Sequence, residues 1–386
     1  MNIGFDGKRA VQNMTGLGNY SRTVVATLSA MYPDNRYILM APRYRENPRI
    51  DALLRAPNVE LFTPQGGVGR RVTAFWRSVS MPEDMASLGL DIYHGLSNEL
   101  PLTARMAPCP TVVTVHDLIW RRYPADYPAV DRWLFEQKYR RSARLATRII
   151  AVSERTKQDM VELWRIPEGK IDVIYQGCDP IFTHAVTYED RERIRRKYAL
   201  PERYIIAVGA VRPRKNQLLA VRALSALPED VHLIIVGSGS RDYIARVEQE
   251  AAASGVGARV RRLEGVPFQD LPALYACAAL SSYTSRYEGF GIPLVESLSV
   301  GTPAVACTGS CLEEAAGPGA IYISPDDPRA YAEAAAAILD RTRRHDALSE
   351  RGRRHVARFT SKALAEQTMQ TYMKAIMDFA TDLKDK

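Results

Sequence analysis

Glu288 and Glu296 stand with seven residues between them, around Gly289-Phe290-Gly291-Ile292-Pro293-Leu294-Val295. Carboxylates accept paired hydrogen bonds from vicinal hydroxyls, the group that a sugar or a ribose offers. Glycines at 289 and 291 let the backbone come close to a ligand. Pro293 suits the first position of a helix, where its missing N–H is not needed. That start puts Glu296 in the first helical turn and turns free N–H groups outward, where they suit a phosphate. A glutamate in a first turn is also common for helix-dipole reasons alone. Here glycines, helix start and both acids coincide.

A second segment is Val208-Gly209-Ala210-Val211-Arg212-Pro213-Arg214-Lys215-Asn216. Lys215 falls where a helix should begin, with Arg214 beside it and Arg212 near. A cation about 4 Å from a diphosphate is worth about 4 kcal/mol at an effective dielectric of 20. Charge developing on a departing diphosphate is the situation that rewards it. An isolated Arg-Pro-Arg-Lys reads as a solvated basic turn; after a strand it reads as a phosphate site. Gly16 and Gly18, in Thr15-Gly16-Leu17-Gly18-Asn19-Tyr20, permit close approach to a phosphate or describe a plain turn. His116, followed by Asp117, ends an apolar run and is placed to hydrogen-bond a sugar, with a structural histidine as the alternative. His94 is evenly balanced between the same two roles.

Several chemistries are missing. No D-x-D triplet occurs, so the usual carboxylate pair for a metal on a sugar diphosphate is absent. There is no GxxxxGK[ST] loop, and neither Gly16-x-Gly18 nor Gly237-x-Gly239 completes a dinucleotide fingerprint. No G-x-S-x-G nucleophile elbow is present. Cys307 and Cys311 lie four apart, with no His or second Cys pair to complete a zinc site.

The elements that position these loops alternate in a βαβ pattern around parallel sheets. Strands are predicted at 2–5, 37–41, 59–62, 91–94, 111–115, 148–152 and 172–175. A second series follows at 204–208, 231–236, 260–264, 279–282, 303–307 and 320–323. Helices are predicted at Lys215–Leu227, Asp242–Ser254, Leu271–Ala276 and Pro328–Asp340. This predicts an α/β protein of two Rossmann-like domains, 1–183 and 184–362. Residues 363–386 form a final amphipathic helix, part of an apolar face running from Ser361 to Leu383. Open parallel sheets bind ligands at the carboxyl ends of their strands, so the chemistry is expected in the cleft that two such domains face.

The chain has 386 residues, 46% hydrophobic and 25% charged, a length that suits two globular domains. Nothing approaches a spanning helix, and the opening Ile3-Gly4-Phe5 carries no basic-then-apolar leader. With five cysteines, an odd number, free thiols and a cytoplasmic location are expected. The net charge is +8, from 52 cations against 44 acids. Residues 1–150 hold 20 cations and 13 acids, whereas residues 151–350 hold 24 and 27. An anionic partner is therefore expected at the first domain.

Glu288-x7-Glu296 with Gly-Phe-Gly-Ile-Pro, together with Val-Gly-x5-Lys-Asn at 208–216, resembles glycosyltransferase family 4. Weaker matches at Gly16-x-Gly18, Val115-His116-Asp117, Ala151-Val152-Ser153-Glu154, Gly177-x-Asp179 and Gly301-Thr302-Pro303 extend the likeness over nearly the whole chain. The resemblance implies the GT-B fold and a retaining, nucleotide-sugar-dependent enzyme. It implies that Glu296 binds the ribose hydroxyls and that Glu288 with the Gly289, Phe290 and Gly291 backbone holds the donor sugar. Lys215 with Arg212 or Arg214 would neutralise the diphosphate, aided by the Leu294 N–H. His116 would touch the sugar, and Val266 would lie beside the base. Many members carry Arg directly after Val-Gly, where this chain has Ala210. No metal or other cofactor is implied, and the Lys-Asn form of the loop is similar to mannosyltransferase members, favouring GDP-mannose. The C-terminal helix of this fold crosses back onto the first domain.

On the acceptor side, Gly69–Arg77 and the stretch from Arg132 through Arg148 mix arginines with aromatics. Such segments suit an anionic membrane surface or, equally, ordinary helices packed on a sheet. A glycan or lipid-linked acceptor is expected, and nucleic acid is not, since no recognised binding motif accompanies the charge. Two other readings remain: another GT-B enzyme such as an epimerase or phosphorylase, and a non-catalytic sugar-nucleotide-binding homologue.

Overall fold

A computed structural model of the chain describes residues 1–13, 16–46, 48–64, 75–340 and 343–384, without the side chains of 343, 344 and 383. Two compact units result: Met1–Gln176 with Thr360–Lys386, and Gly177–Phe359. The first carries β1 (Asn2–Asp6), β2 (Arg36–Met40), β3 (Val59–Phe62), β4 (Ile92–Gly95), β5 (Thr111–Val115), β6 (Arg148–Ala151) and β7 (Ile171–Val173). The second carries β8 (Arg203–Val208), β9 (Val231–Val236), β10 (Val260–Leu263), β11 (Leu280–Tyr283), β12 (Ala304–Cys307) and β13 (Ala320–Ile323). Both sheets are parallel, ordered β3-β2-β1-β4-β5-β6-β7 and β10-β9-β8-β11-β12-β13. Parallel strands covered on both faces read as unbroken apolar runs. Thr111–Val115 and Ala304–Cys307 are such strands, buried at every position.

In the first unit, successive residues alternate between two cores, following the two-residue period of a strand. Tyr37 and Leu39 join Ile3 and Phe5 on one face, while Ile38 and Met40 join Trp164 on the other. Helix Ser361–Lys384 completes the first core with Leu364, Ala365, Tyr372 and Ala375. Its Tyr372 Oη lies 2.7 Å from His94 Nδ1, and His94 Nε2 lies 2.8 Å from Thr114 Oγ1. Both His94 nitrogens are thus engaged inside the fold, and burial lowers its pKa to about 3. Of the two roles considered for His94, the structure supports the structural one.

Local details depart from the sequence expectations. Gly16 and Gly18 lie inside helix Gly16–Met31, not in a loop before it. A Cβ on Gly18 would stand 1.8 Å from the Asn13 carbonyl oxygen, so tight chain packing already accounts for this glycine. The helix predicted from Lys215 to Leu227 is broken: a 3₁₀ turn, Pro213–Lys215, is followed by Asn216 in the left-handed region and then helix Gln217–Leu224. Asparagine tolerates that conformation better than most residues. Residues 69–74 of the Gly69–Arg77 stretch lie outside the described residues. Of the remainder, Trp76 is buried, and Arg77 pairs with Asp6 at 2.5 Å and Glu99 at 2.6 Å. Among the described residues, no helix is long and apolar enough to cross a membrane.

Candidate active site

The strand order of the second sheet reverses at β8, which lies between β9 and β11. Such a switch point opens a crevice at the carboxyl ends of the strands. Register pairs Leu280 with Ile205 and Ser281 with Ile206, so the loops after β8 and β11 leave the sheet side by side. These are the loops that carry Lys215 and Glu288. They are tied together by the backbone, Arg286 N donating to Arg214 O at 2.9 Å, and by Thr284 Oγ1 donating to Lys215 O at 2.9 Å.

The side chains meet as well. Glu288 Oε1 lies 2.7 Å from Lys215 Nζ and 2.8 Å from Arg214 Nη1. Lys215 Nζ also donates to Tyr283 Oη at 3.0 Å, and Arg214 donates to the Tyr287 carbonyl. Burial works against charge at both Glu288 and Lys215, but their mutual attraction outweighs it. Glu288, facing Lys215 and Arg214, is held below the usual carboxylate range, and Lys215 is raised. Two cations share one carboxylate here, and all three side chains are largely buried, where electrostatic attraction is stronger than in water.

Helix Ile292–Ser299 starts one residue earlier than expected. Gly291, at φ +109°, forms its N-cap in a conformation that favours glycine, and Pro293 takes the second helical position. Glu296 is therefore in the second turn, beyond the reach of the helix-dipole explanation, which fades after the first turn. It is buried, and desolvation pushes its carboxyl up to about 7, opposed by the Tyr275 hydroxyl that donates to Oε2 at 3.3 Å. The Leu294 N–H donates to Gly291 O at 2.9 Å and is already engaged in closing the first turn. Phe290 is buried edge-on against Phe359 at 5.3 Å, a packing role for its side chain beside any role of its backbone.

Of the other named positions, Arg212 is exposed and has no side-chain partner among the described residues, so it is free to meet an anion. Val266 is half-buried in the loop after β10. His116 belongs to the first unit, at the end of β5. Its Nε2 lies 2.9 Å from Leu96 O, its Nδ1 lies 3.3 Å from Gln176 Nε2, and the Tyr20 ring meets it edge-on at 4.7 Å. Burial lowers its pKa to about 4, so the ring is neutral near pH 7. The Nε2 proton is directed to the carbonyl, leaving Nδ1 as an acceptor for the Gln176 amide.

Sequence reasoning missed three residues of the site. Tyr283, the last residue of β11, had a signal: a polar group at a strand's carboxyl end. Tyr275 sits on helix Leu271–Cys277 and had none. Cys311, fully buried, places its Sγ 3.1 Å from both Glu288 O and Phe290 O, tying down the loop that carries the acid.

The loops after β8 and β11 thus bring an acid-bridged pair of cations together, and the helix that follows carries a second buried acid. Residues 190–355 match the model for glycosyl transferases group 1, and residues 14–182 match that for Glycosyltransferase Family 4. The chain belongs to glycosyltransferase family 4, has the GT-B fold, and is a hexosyltransferase. It is 26% identical to O-antigen chain mannosyltransferase B of Escherichia coli over 284 residues, 73% of this chain and 74% of that one. It is 29% identical to O-antigen chain mannosyltransferase RfbU of Salmonella typhimurium over 222 residues, 58% of this chain and 59% of that one. The match thus spans less than two thirds of the second relative. Among solved structures, the Anabaena protein Alr3699/HepE in complex with UDP superimposes with a TM-score of 0.75 at 20% identity, covering 97% of this chain and 100% of that one. At that identity the likeness concerns the fold.

Proposed function

We propose that the chain is a retaining transferase that moves a hexosyl group, mannose from GDP-mannose in the favoured reading, from a nucleoside diphosphate to an acceptor hydroxyl. The acceptor is a glycan or a lipid-linked glycan in surface polysaccharide or glycolipid synthesis, reached by an enzyme peripheral to the membrane. The observation that carries this reading is Glu288 held between Lys215 and Arg214. A diphosphate entering the crevice takes over the two cations and releases Glu288 to accept hydrogen bonds from the hexose hydroxyls. Arg212 adds charge from the rim, and Glu296 accepts from the ribose hydroxyls.

As the glycosidic bond breaks, negative charge grows on the diphosphate beside Lys215 and Arg214. One well-placed donor contributes about 3–4 kcal/mol to such a step. The departing phosphate oxygen takes the acceptor proton on the same face, which keeps the anomeric configuration. His116 offers Nδ1 to a donor hydroxyl. The charge that leaves with the diphosphate is met by side chains, so the reading is metal-independent.

The experiment is a turnover assay over a panel of GDP- and UDP-hexoses, with the first-formed product anomer read by NMR. Retention is expected, and Lys215→Ala and Glu288→Ala should each lower turnover by about a hundredfold or more. An inverted product, or variants as active as the wild type, would refute the mechanism. Phosphorolysis or epimerisation without an acceptor would favour the other GT-B enzymes, and tight donor binding without any turnover would favour a binding protein.

A further inference from the structure

Helix Ala129–Leu145 of the first unit has two faces of different character. Inward, Phe135 stacks on Tyr139 at 5.2 Å, and both meet Trp120, at 5.6 and 5.2 Å, beside Trp164. Outward, at spacings of three and four, come Val130, Trp133 and Leu134, followed by Lys138, Arg141 and Arg144, all exposed. Trp133 is 62% exposed, whereas Trp76, Trp120 and Trp164 are 4% exposed or less. Single exposed apolar residues are ordinary, but a Trp with two aliphatic neighbours inside two turns is a patch.

The charge beside the patch is predominantly positive, with Asp131 the one acid of the helix next to Val130. The helix holds five cations and two acids. One of the acids, Glu136, is turned inward, accepting from Trp164 Nε1 at 3.2 Å and lying 3.6 Å from Arg121 and from Arg140. Arg141 Nη2 donates to Leu102 O at 3.0 Å, which brings the exposed Leu102, Arg105 and Met106 alongside the basic end of the helix. At the apolar end, Trp133 forms one wall of a groove of about 400 Å³ with Trp120, Arg121, Pro124, Arg132 and Glu136. An indole wall beside guanidinium groups suits the boundary between acyl chains and phosphate headgroups, where Trp is enriched and cations are drawn to anionic lipid.

We propose that this face docks on an anionic phospholipid surface. Trp133, Val130 and Leu134 enter the interface, and Lys138, Arg144 and the groove arginines meet lipid phosphates. The proposal gives a location to the membrane association in the reading above and rests on that part of it. It is independent of the transfer chemistry, because its test contains neither donor nor acceptor.

The test mixes the full chain with vesicles of phosphatidylcholine alone, or with about one third phosphatidylglycerol, at low and high salt. Flotation measures partition, and quenching by lipids brominated in the acyl chain reports the depth of Trp133, since the other tryptophans are buried. The expected result is partition to the anionic vesicles only, quenching there, and release by salt. Trp133→Ala should weaken partition about tenfold or more. Lys138→Gln and Arg144→Gln should each weaken it about fivefold. These side chains are exposed, so the variants should melt like the wild type. Partition equal for neutral and anionic lipid, or none at all, would overturn the proposal. So would Trp133→Ala partitioning like the wild type, which would place any membrane contact elsewhere. Self-association in the absence of vesicles that Trp133→Ala abolishes would also overturn it, by showing that a second copy covers the face.

Discussion

Replacing Glu296 by glutamine should make the protein more stable and bind its nucleotide worse, by amounts that depend on pH. The Glu296 carboxyl is raised from an ordinary 4.5 to about 7, chiefly by desolvation. Holding the proton over the range between those two values corresponds to about 3 kcal/mol. Because the folded pKa lies above the unfolded one, this group's favourable contribution is complete below pH 4.5 and is lost as pH rises through 7. Above pH 7 the wild type carries a buried, incompletely paired carboxylate, which glutamine does not. The stability advantage of Glu296→Gln should therefore grow by about 2–3 kcal/mol between pH 5 and pH 8. At about 2–4 °C per kcal/mol, that is several degrees in Tm. Thermal melts of both proteins across this range, at fixed ionic strength, provide the measurement. For ligand binding the sign is reversed: in the role proposed for Glu296 a carboxylate would accept from both ribose hydroxyls, so wild-type affinity should rise from pH 6 to pH 8 while that of the variant stays flat. A Tm difference that does not change with pH would refute the buried-charge account of Glu296.

Cys311→Ala removes the thiol between Glu288 O and Phe290 O. It should raise the donor KM several-fold, and Cys311→Ser, which keeps a donor, should restore part of the loss; equal KM values in all three proteins would remove Cys311 from the site. Tyr372→Phe leaves a buried ring nitrogen of His94 without its hydroxyl partner and should cost about 1–3 kcal/mol. Urea titration would show the loss, while turnover per folded molecule stays unchanged.

The strands were legible because they are parallel and buried on both faces. Runs such as Val112-Val113-Thr114-Val115 and Val231–Val236 stand out without any knowledge of their neighbours. The residue types of the site were legible too, since glycines and two acids after a strand imply a ligand loop. What could not be read was pairing across the sheet. Glu288 meets Lys215 and Arg214 only because a crossover seats β11 beside β8, a relation between segments some seventy residues apart. Helix starts were misread by one or two residues where a single backbone angle decides them, at Gly291 and at Asn216. Burial was the other hidden quantity. His94 and His116 look alike in sequence, at the ends of neighbouring strands, yet the ring of His94 is closed in by Tyr372 from a helix 278 residues away.

In the proposed reaction Lys215 and Arg214 pass from Glu288 to a diphosphate. Calorimetric titration of GDP-mannose and UDP-glucose into wild type and Lys215→Ala tests that step most directly. Saturable binding of one donor by the wild type, weakened about a hundredfold or more in the variant, is the predicted result. Equal affinity of the two proteins for the preferred donor would contradict it.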